Sequence, residues 1–186
     1  MSQPATALET DFEPDPTGAP SQQAESLTLN ALFSRNVARA PYQAALVPGP
    51  DNNALTFAQC DAIVDAIAAR FALLSLPHGS VVGLHMPNSF KAYLSVLGIL
   101  RAGLVPALLP WLWRRTEIVS ALSLCNAKAL LVGDYRAAHI EPEMALSIAA
   151  DLFTIRYVGW GDYSPPDGMV PFGDTFEPGA PDVGDE

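Results

Sequence analysis

The sequence is poor in the residues that most often carry chemistry. Its 186 residues include two cysteines and three histidines, and 16% of positions are charged. Cys60 and Cys125 are too few for a disulfide framework and form no Cys-x-x-Cys clamp. The expected setting is a reduced, cytoplasmic one. His78, His85 and His139 are scattered without metal-ligand spacing. His85 reads as a packed strand residue, and His78, between Pro77 and Gly79, as a turn residue in solvent. His139-x-Glu141 opens like a deaminase signature, but no Pro-Cys-x-x-Cys follows. The first residues have neither a basic nor an apolar leader region, so no secretory signal is expected in them.

Other absences remove enzyme classes. Neither Lys91 nor Lys128 follows a glycine and precedes Ser or Thr, so there is no Walker phosphate loop. No Gly-x-Ser-x-Gly elbow occurs. Gly159-Trp160-Gly161 starts like a dinucleotide fingerprint. However, Ser164 replaces the third glycine, and Pro165-Pro166 forbids the helix whose N-terminus would hold pyrophosphate. Cys60 falls on an apolar helix stripe and Cys125 at a helix end, so both read as small packed residues rather than nucleophiles.

Basic residues are scarce. Ten Lys and Arg face twenty Asp and Glu, a net charge of -10, which argues against a nucleic-acid partner. The acidity sits at the two ends: residues 27–140 carry nine bases and five acids, whereas 141–186 carry one base and ten acids. Residues 1–26 read as a disordered acidic tail, 27–160 as an α/β lobe and 161–186 as a Pro/Gly/Asp-rich linker with at most one turn around Phe172–Phe176.

Within the lobe, helical and extended signals alternate. Thr28 opens a short helix ending before Pro41, and Ala44–Val47 and Leu55–Phe57 form a hairpin. Thr56 and Gln59 have capping-box spacing, and the helix they open carries Cys60, Ile63, Val64, Ile67, Phe71 and Leu74 on one stripe. Val81–Met86 reads as a buried strand. Asn88 caps a helix from Ser89 to Arg101 that is apolar almost all round, which predicts deep packing. Gly98 permits close approach of a neighbour, and Gly103 stops the helix. Val105–Leu109 is the next strand, and Thr116 caps a helix through Leu124. Ala129–Val132, a helix from Pro142 to Ala150 and a strand from Phe153 to Val158 complete the series. This alternation predicts an α/β fold, a mainly parallel sheet with crossover helices.

Three features leave readings open. Residues 93–113 are apolar enough to suggest a membrane span, but Arg101, Gly103, Pro106 and Pro110 favour a helix stop followed by a buried strand. Trp111 and Trp113 read either as a packed loop rim or as a ligand or membrane-surface patch. Arg114-Arg115, ahead of the Thr116 helix, reads either as a solvated pair or as an anion site.

The ordered segments LTFAQCDAIVDAIAARFALL (55–74), GSVVGLHMPNSFKAYLSVLGILRAGLVPALLP (79–110) and TEIVSALSLCNAKALLVGD (116–134) resemble the N-terminal region of adenylate-forming acyl-CoA synthetases, the AMP-dependent synthetases and ligases. The resemblance spans about residues 28–160. It implies a partial N-terminal lobe of the large synthetase domain. The full-length family enzyme uses ATP, Mg2+ and CoA to activate a carboxylic acid through an acyl-adenylate and pass it to CoA. Where the family often has Asn-Pro, this chain has Leu109-Pro110-Trp111.

The family's Gly-rich phosphate loop, its downstream ATP- and Mg2+-binding residues and its lid lysine do not occur in residues 1–186. The expectation is therefore a truncated, catalytically silent fragment with no catalytic residue, no metal ligand and no cofactor of its own. Its expected partner is the remainder of the synthetase or a second copy. By the same resemblance Arg114 and Arg115 are candidates for a CoA phosphate contact, with Arg136 behind them. Two further function classes stay open: a non-catalytic protein-interaction module, and a small membrane-associated protein acting through residues 93–113.

Overall fold

A computed structural model describes residues 28–47, 54–133, 142–162 and 164–177. Thr28 caps α1 (Leu29–Arg39) by accepting a hydrogen bond from the Ala31 amide. A short antiparallel pair, β1 (Ala44–Leu46) and β2 (Leu55–Thr56), leads directly into α2 (Phe57–Leu73). The capping box at its start is complete. The Gln59 amide donates to the Thr56 hydroxyl at 3.2 Å, and the Thr56 amide donates to the Gln59 side chain at 2.9 Å.

The remaining elements build the lobe. In chain order they are β3 (Val81–His85), α3 (Phe90–Arg101), β4 (Val105–Leu108), α4 (Arg115–Leu124), β5 (Ala129–Val132), α5 (Pro142–Asp151), β6 (Tyr157–Trp160) and β7 (Val170–Pro171). A 3-10 turn, Gly173–Phe176, closes the described chain. The sheet order is β4-β3-β5-β6-β7, and every neighbouring pair is parallel. This is the crossover-wound architecture expected from the alternation.

The sheet separates two cores. On one side α2 and α3 cover Val82, Leu84, Met86, Ala129 and Leu131. On the other α4 and α5 cover Leu130, Val132, Val158 and Trp160. The α2 stripe holds through Phe71: Cys60, Ile63, Val64 and Ile67 are fully buried and Phe71 nearly so, whereas Leu74 caps the helix end and is half-buried. Each such aliphatic side chain contributes roughly 1.5–3 kcal/mol on burial. Two glycines set how closely the layers approach. A Cβ at Gly98 would lie 2.5 Å from Ile67 Cγ2 and 3.3 Å from the Val64 carbonyl oxygen, so α3 crosses α2 where α3 has no side chain. A Cβ at Gly83 would collide with Leu122 of α4.

Polar contacts tie the helices at their rims. Arg101 of α3 donates to Asp65 at 2.7 Å and to Asp61 at 2.8 Å, both on α2. Partial burial works against the Arg101 charge, but its bonds to Asp65 and Asp61 outweigh that and raise its pKa above the ordinary value. Arg70 donates to Asp174 and to the Pro171 carbonyl, fastening the 3-10 turn to the end of α2.

Several local expectations are corrected. The cap of α3 is Ser89, not Asn88: Ser89 has the extended backbone of a cap and its hydroxyl accepts from the Ala92 amide. That helix is not deeply packed all round. Only Leu94, Ser95, Gly98 and Ile99 are buried, and Tyr93 is 58% exposed, because α3 lies toward the β4 edge, where the sheet ends. Thr116 is not a cap. The helix begins at Arg115, with Arg114 at the cap position and its amide donating to the Glu117 carboxylate at 3.1 Å. The last predicted strand starts four residues later, at Tyr157. The Ile155 amide turns back to the Leu152 carbonyl, leaving Phe153 almost wholly exposed.

The segment expected to be a linker also does more than turn. Val170–Pro171 pairs with β6, and Phe172 and Phe176 are buried in the first core. The Phe172 ring sits 4.8 Å from that of Phe71. Residues 93–113 are divided among α3, β4 and the loop after it. No helix among the described residues is long and apolar enough to cross a membrane.

Because the α2–α3 crossing leaves no room at Gly98, Gly98→Ala is expected to destabilise the chain by about 1–3 kcal/mol, read as a lower urea midpoint with an unchanged slope. An unchanged midpoint would show that the two helices do not cross there.

Candidate functional site

Open parallel sheets bind ligands outside the carboxyl ends of their strands, at the point where the winding direction reverses. Here the chain leaves β3 for β4 on one side and returns to β5 on the other, so the reversal lies between β3 and β5. Among the described residues that point is filled. A Cβ at Gly133 or at Gly161 would lie 2.9 Å from Met86 Cε, so the methionine tip rests on two bare backbones. The Gly161 amide donates to the Val132 carbonyl at 2.7 Å, closing the same edge. Lys91, in the first turn of α3, donates to the Gly161 carbonyl at 3.0 Å and to Asp162 at 2.7 Å, and its ammonium lies 5.4 Å from the centre of the Phe176 ring.

Open space lies one strand over. A cleft of about 360 Å3 is bounded by α3 on one side and by β3, β4 and the loop after β4 on the other. Leu84 and Met86 line it from β3, Ala92 and Val96 from α3, and Leu108, Leu109 and Pro110 from β4 and its loop. Asn88, Tyr93 and Trp111 complete the lining and supply its side-chain polar groups. No Asp, Glu, Lys, Arg or His lines it. Its volume falls at the lower end of small-molecule sites. The sequence alone makes Asn88 a helix cap and Tyr93 a packed residue. The signal that could single them out is their position in the first turns after a strand end. Trp111, expected as either a packed rim or a ligand patch, lines the cleft and is 37% exposed.

The basic pair is not part of this cleft. Arg114 is exposed. The Arg115 guanidinium is paired with the Asp151 carboxylate and reaches the Ser147 hydroxyl at 3.5 Å, so it bridges α4 to α5. Arg136 and His139 lie outside the described residues. His78 is exposed beside Gly103, and His85 is fully buried in β3 as expected. No cluster of three or more metal-binding side chains occurs among the described residues.

A family model, the AMP-binding enzymes, matches residues 33–170, which takes in every strand from β1 to β6. The chain belongs to that family. It is 32% identical over 151 residues to long-chain fatty acid transport protein 1 of Bos taurus, a match covering 81% of this chain and 23% of that protein. It is 28% identical over 134 residues to the salicyl-AMP ligase / salicyl-S-ArCP synthetase of Mycobacterium tuberculosis, covering 70% and 24%. This member of the AMP-binding family thus spans about a quarter of the length of those relatives.

Solved structures agree on the fold. The anthranilate CoA ligase AuaEII, in complex with anthranoyl-AMP, superposes with a TM-score of 0.68 at 22% identity, over 79% of this chain and 27% of that one. Apo MbtA of Mycobacterium smegmatis gives 0.67 at 21%, over 81% and 27%. The mixed α/β lobe with a parallel five-stranded sheet is the N-terminal architecture of adenylate-forming ligases.

The Cys60 thiol yields a pH prediction. Burial, with Asp61 adding to it, pushes Cys60 from its ordinary 9.0 to about 11. A raised folded pKa favours the neutral thiol. That stability is complete below pH 9 and is lost as pH rises toward 11. The stability of the chain should therefore drop by about 2 kcal/mol across that range. Cys60→Ala should flatten the drop in a pH series of urea melts. An equal drop in the variant would assign it to another group.

Proposed function

We propose that this chain is the N-terminal lobe of an ATP-dependent acyl-CoA ligase that activates a carboxylic acid as an acyl-adenylate and then forms its CoA thioester. The observation that carries this reading is the match of residues 33–170 to the AMP-binding enzymes, on a lobe whose strand ends border an apolar cleft. The names of the relatives, a fatty acid transport protein and two aryl acid ligases, support a carboxylic acid as substrate. ATP, Mg2+ and CoA belong to the whole ligase. Residues 1–186 contain no Gly-rich loop with a lysine to cradle phosphates, and the chain alone is silent. Its free thiols suit a reducing, cytoplasmic setting.

The partner is the rest of the ligase polypeptide. β4 is an edge strand whose Val105 and Leu108 are exposed, and parallel sheets are normally covered. Arg114, exposed just ahead of α4, is the better of the two arginines for a CoA phosphate, because Arg115 is engaged by Asp151.

Two measurements test this. The pure chain with ATP, Mg2+ and octanoic to octadecanoic or aryl acids should release no pyrophosphate. A chimera carrying residues 28–177 in place of the matching lobe of a fatty acyl ligase should release it. Release by the chain alone would overturn its silence, and a folded but inactive chimera would overturn the ligase reading. In the active chimera, Arg114→Ala should raise the KM for CoA several-fold and leave acid-dependent pyrophosphate exchange unchanged. An unaltered KM would remove Arg114 from the CoA path.

A further inference from the structure

We propose that Pro106 seals the free edge of the five-stranded sheet at β4 and keeps a second copy of the chain from adding its own β4 there. The register of β4 decides which of its backbone groups are free. The Val105 amide donates to the Ser80 carbonyl and the Leu109 amide to the Leu84 carbonyl, both at 3.0 Å. Residues two apart along a strand turn their amide and carbonyl the same way, so Val105, Ala107 and Leu109 face β3. Pro106 and Leu108 turn theirs to the open edge. Proline has no amide hydrogen, which leaves the Leu108 amide as the outward donor of β4.

Two copies of β4 pairing antiparallel about Ala107 would set Pro106 of each opposite Leu108 of the other. Opposed residues in such a pair exchange two bonds. Here only the bond from the Leu108 amide to the Pro106 carbonyl can form. The returning bond has no donor, and the pairing would bury the Leu108 carbonyl against the proline ring, unsatisfied. The edge needs this guard. Its sequence, Val-Pro-Ala-Leu, carries no charge, and Val105 and Leu108 are 46% and 66% exposed, the make-up of an edge that pairs with copies of itself. The opposite edge, β7, is closed twice over. The Phe172 amide donates to the Trp160 carbonyl at 2.8 Å, so Pro171 turns outward, and its carbonyl already accepts from Arg70. Among the described residues, β4 is thus the edge of this sheet that relies on its proline alone.

The test restores the missing donor. Pro106→Ala and Pro106→Val are made in the full chain, and mass is followed by light scattering over a concentration series. Self-association should tighten about tenfold or more in both variants, with an intermolecular sheet band in the infrared. Amide exchange should show the amides at positions 106 and 108 becoming protected as mass rises. Adding Leu108→Pro to Pro106→Val moves the guard to the other outward position and should return self-association to that of the parent. In the parent, the Leu108 amide should exchange freely while those of Ala107 and Leu109 are protected, a pattern that needs no variant to fold.

A protected Leu108 amide in the parent overturns the proposal, because the edge would then be paired despite its proline. So does equal self-association in the parent and both variants. A rise confined to Pro106→Val, or one without protection at positions 106 and 108, assigns the contact to side chains and overturns it too. The proposal stands apart from the ligase reading, which is tested by pyrophosphate release from the chimera. Under that reading it adds one constraint: the rest of the polypeptide covers β4 by packing on Val105 and Leu108 rather than by extending the sheet.

Discussion

The lobe depends on one strand being hydrogen-bonded on both edges and packed on both faces. β3 pairs in parallel with β4 through Val81–Leu84 and with β5 through Val82–His85. Its backbone groups are satisfied by the sheet, as a buried segment requires. Its side chains then serve both layers. Val82, Leu84 and Met86 feed the core under α2 and α3. Gly83 leaves the space on the other face that Leu122 of α4 fills. Remove that strand and neither helical layer has a surface to cover. The bare position in α3, Gly98, does the same for the outer layer, letting α2 settle against α3.

The same constraint places the candidate site. Because β4 is the outer neighbour of β3, α3 must cross back over the β3–β4 pair, and its first turns hang beyond the strand ends. The cleft is the space left under that overhang. Its apolar character follows from its construction, since it is lined by the ends of strands that are otherwise core. Several charged residues of the middle segment serve as interlayer and interhelix ties: Arg70 to Asp174, Lys91 to Asp162, Arg101 to Asp61 and Asp65, and Arg115 to Asp151. Four of the nine bases in residues 27–140 thus serve as braces between elements.

Much of this is legible in the residues. The Thr56–Gln59 spacing, the α2 stripe and the run of four apolar residues at Ala129–Val132 each admit one local structure, and each takes it. The family resemblance follows from their order. What is not legible depends on tertiary context. Ser89 wins the cap from Asn88 through backbone angles that the sequence does not encode separately. α3 is apolar nearly all round because part of it borders a cleft and the sheet edge, which composition cannot tell from core. Phe172 and Phe176 sit in a Pro- and Gly-rich stretch that reads as linker, yet two large aromatic rings find the groove beside Phe71. Arg115 looks free to meet an anion in the sequence because Asp151, its partner, is remote along the chain and adjacent only through the fold.

Native-state hydrogen exchange tests the central role of β3 most directly. The amides of Val82–His85 should exchange only through global unfolding, with the highest protection in the chain and the same denaturant dependence as the cooperative transition. Those of the edge strands β4 and β7 should open at lower free energy. Protection in β3 no greater than in β7 would contradict the account, because the strand on which both layers rest would then open without them.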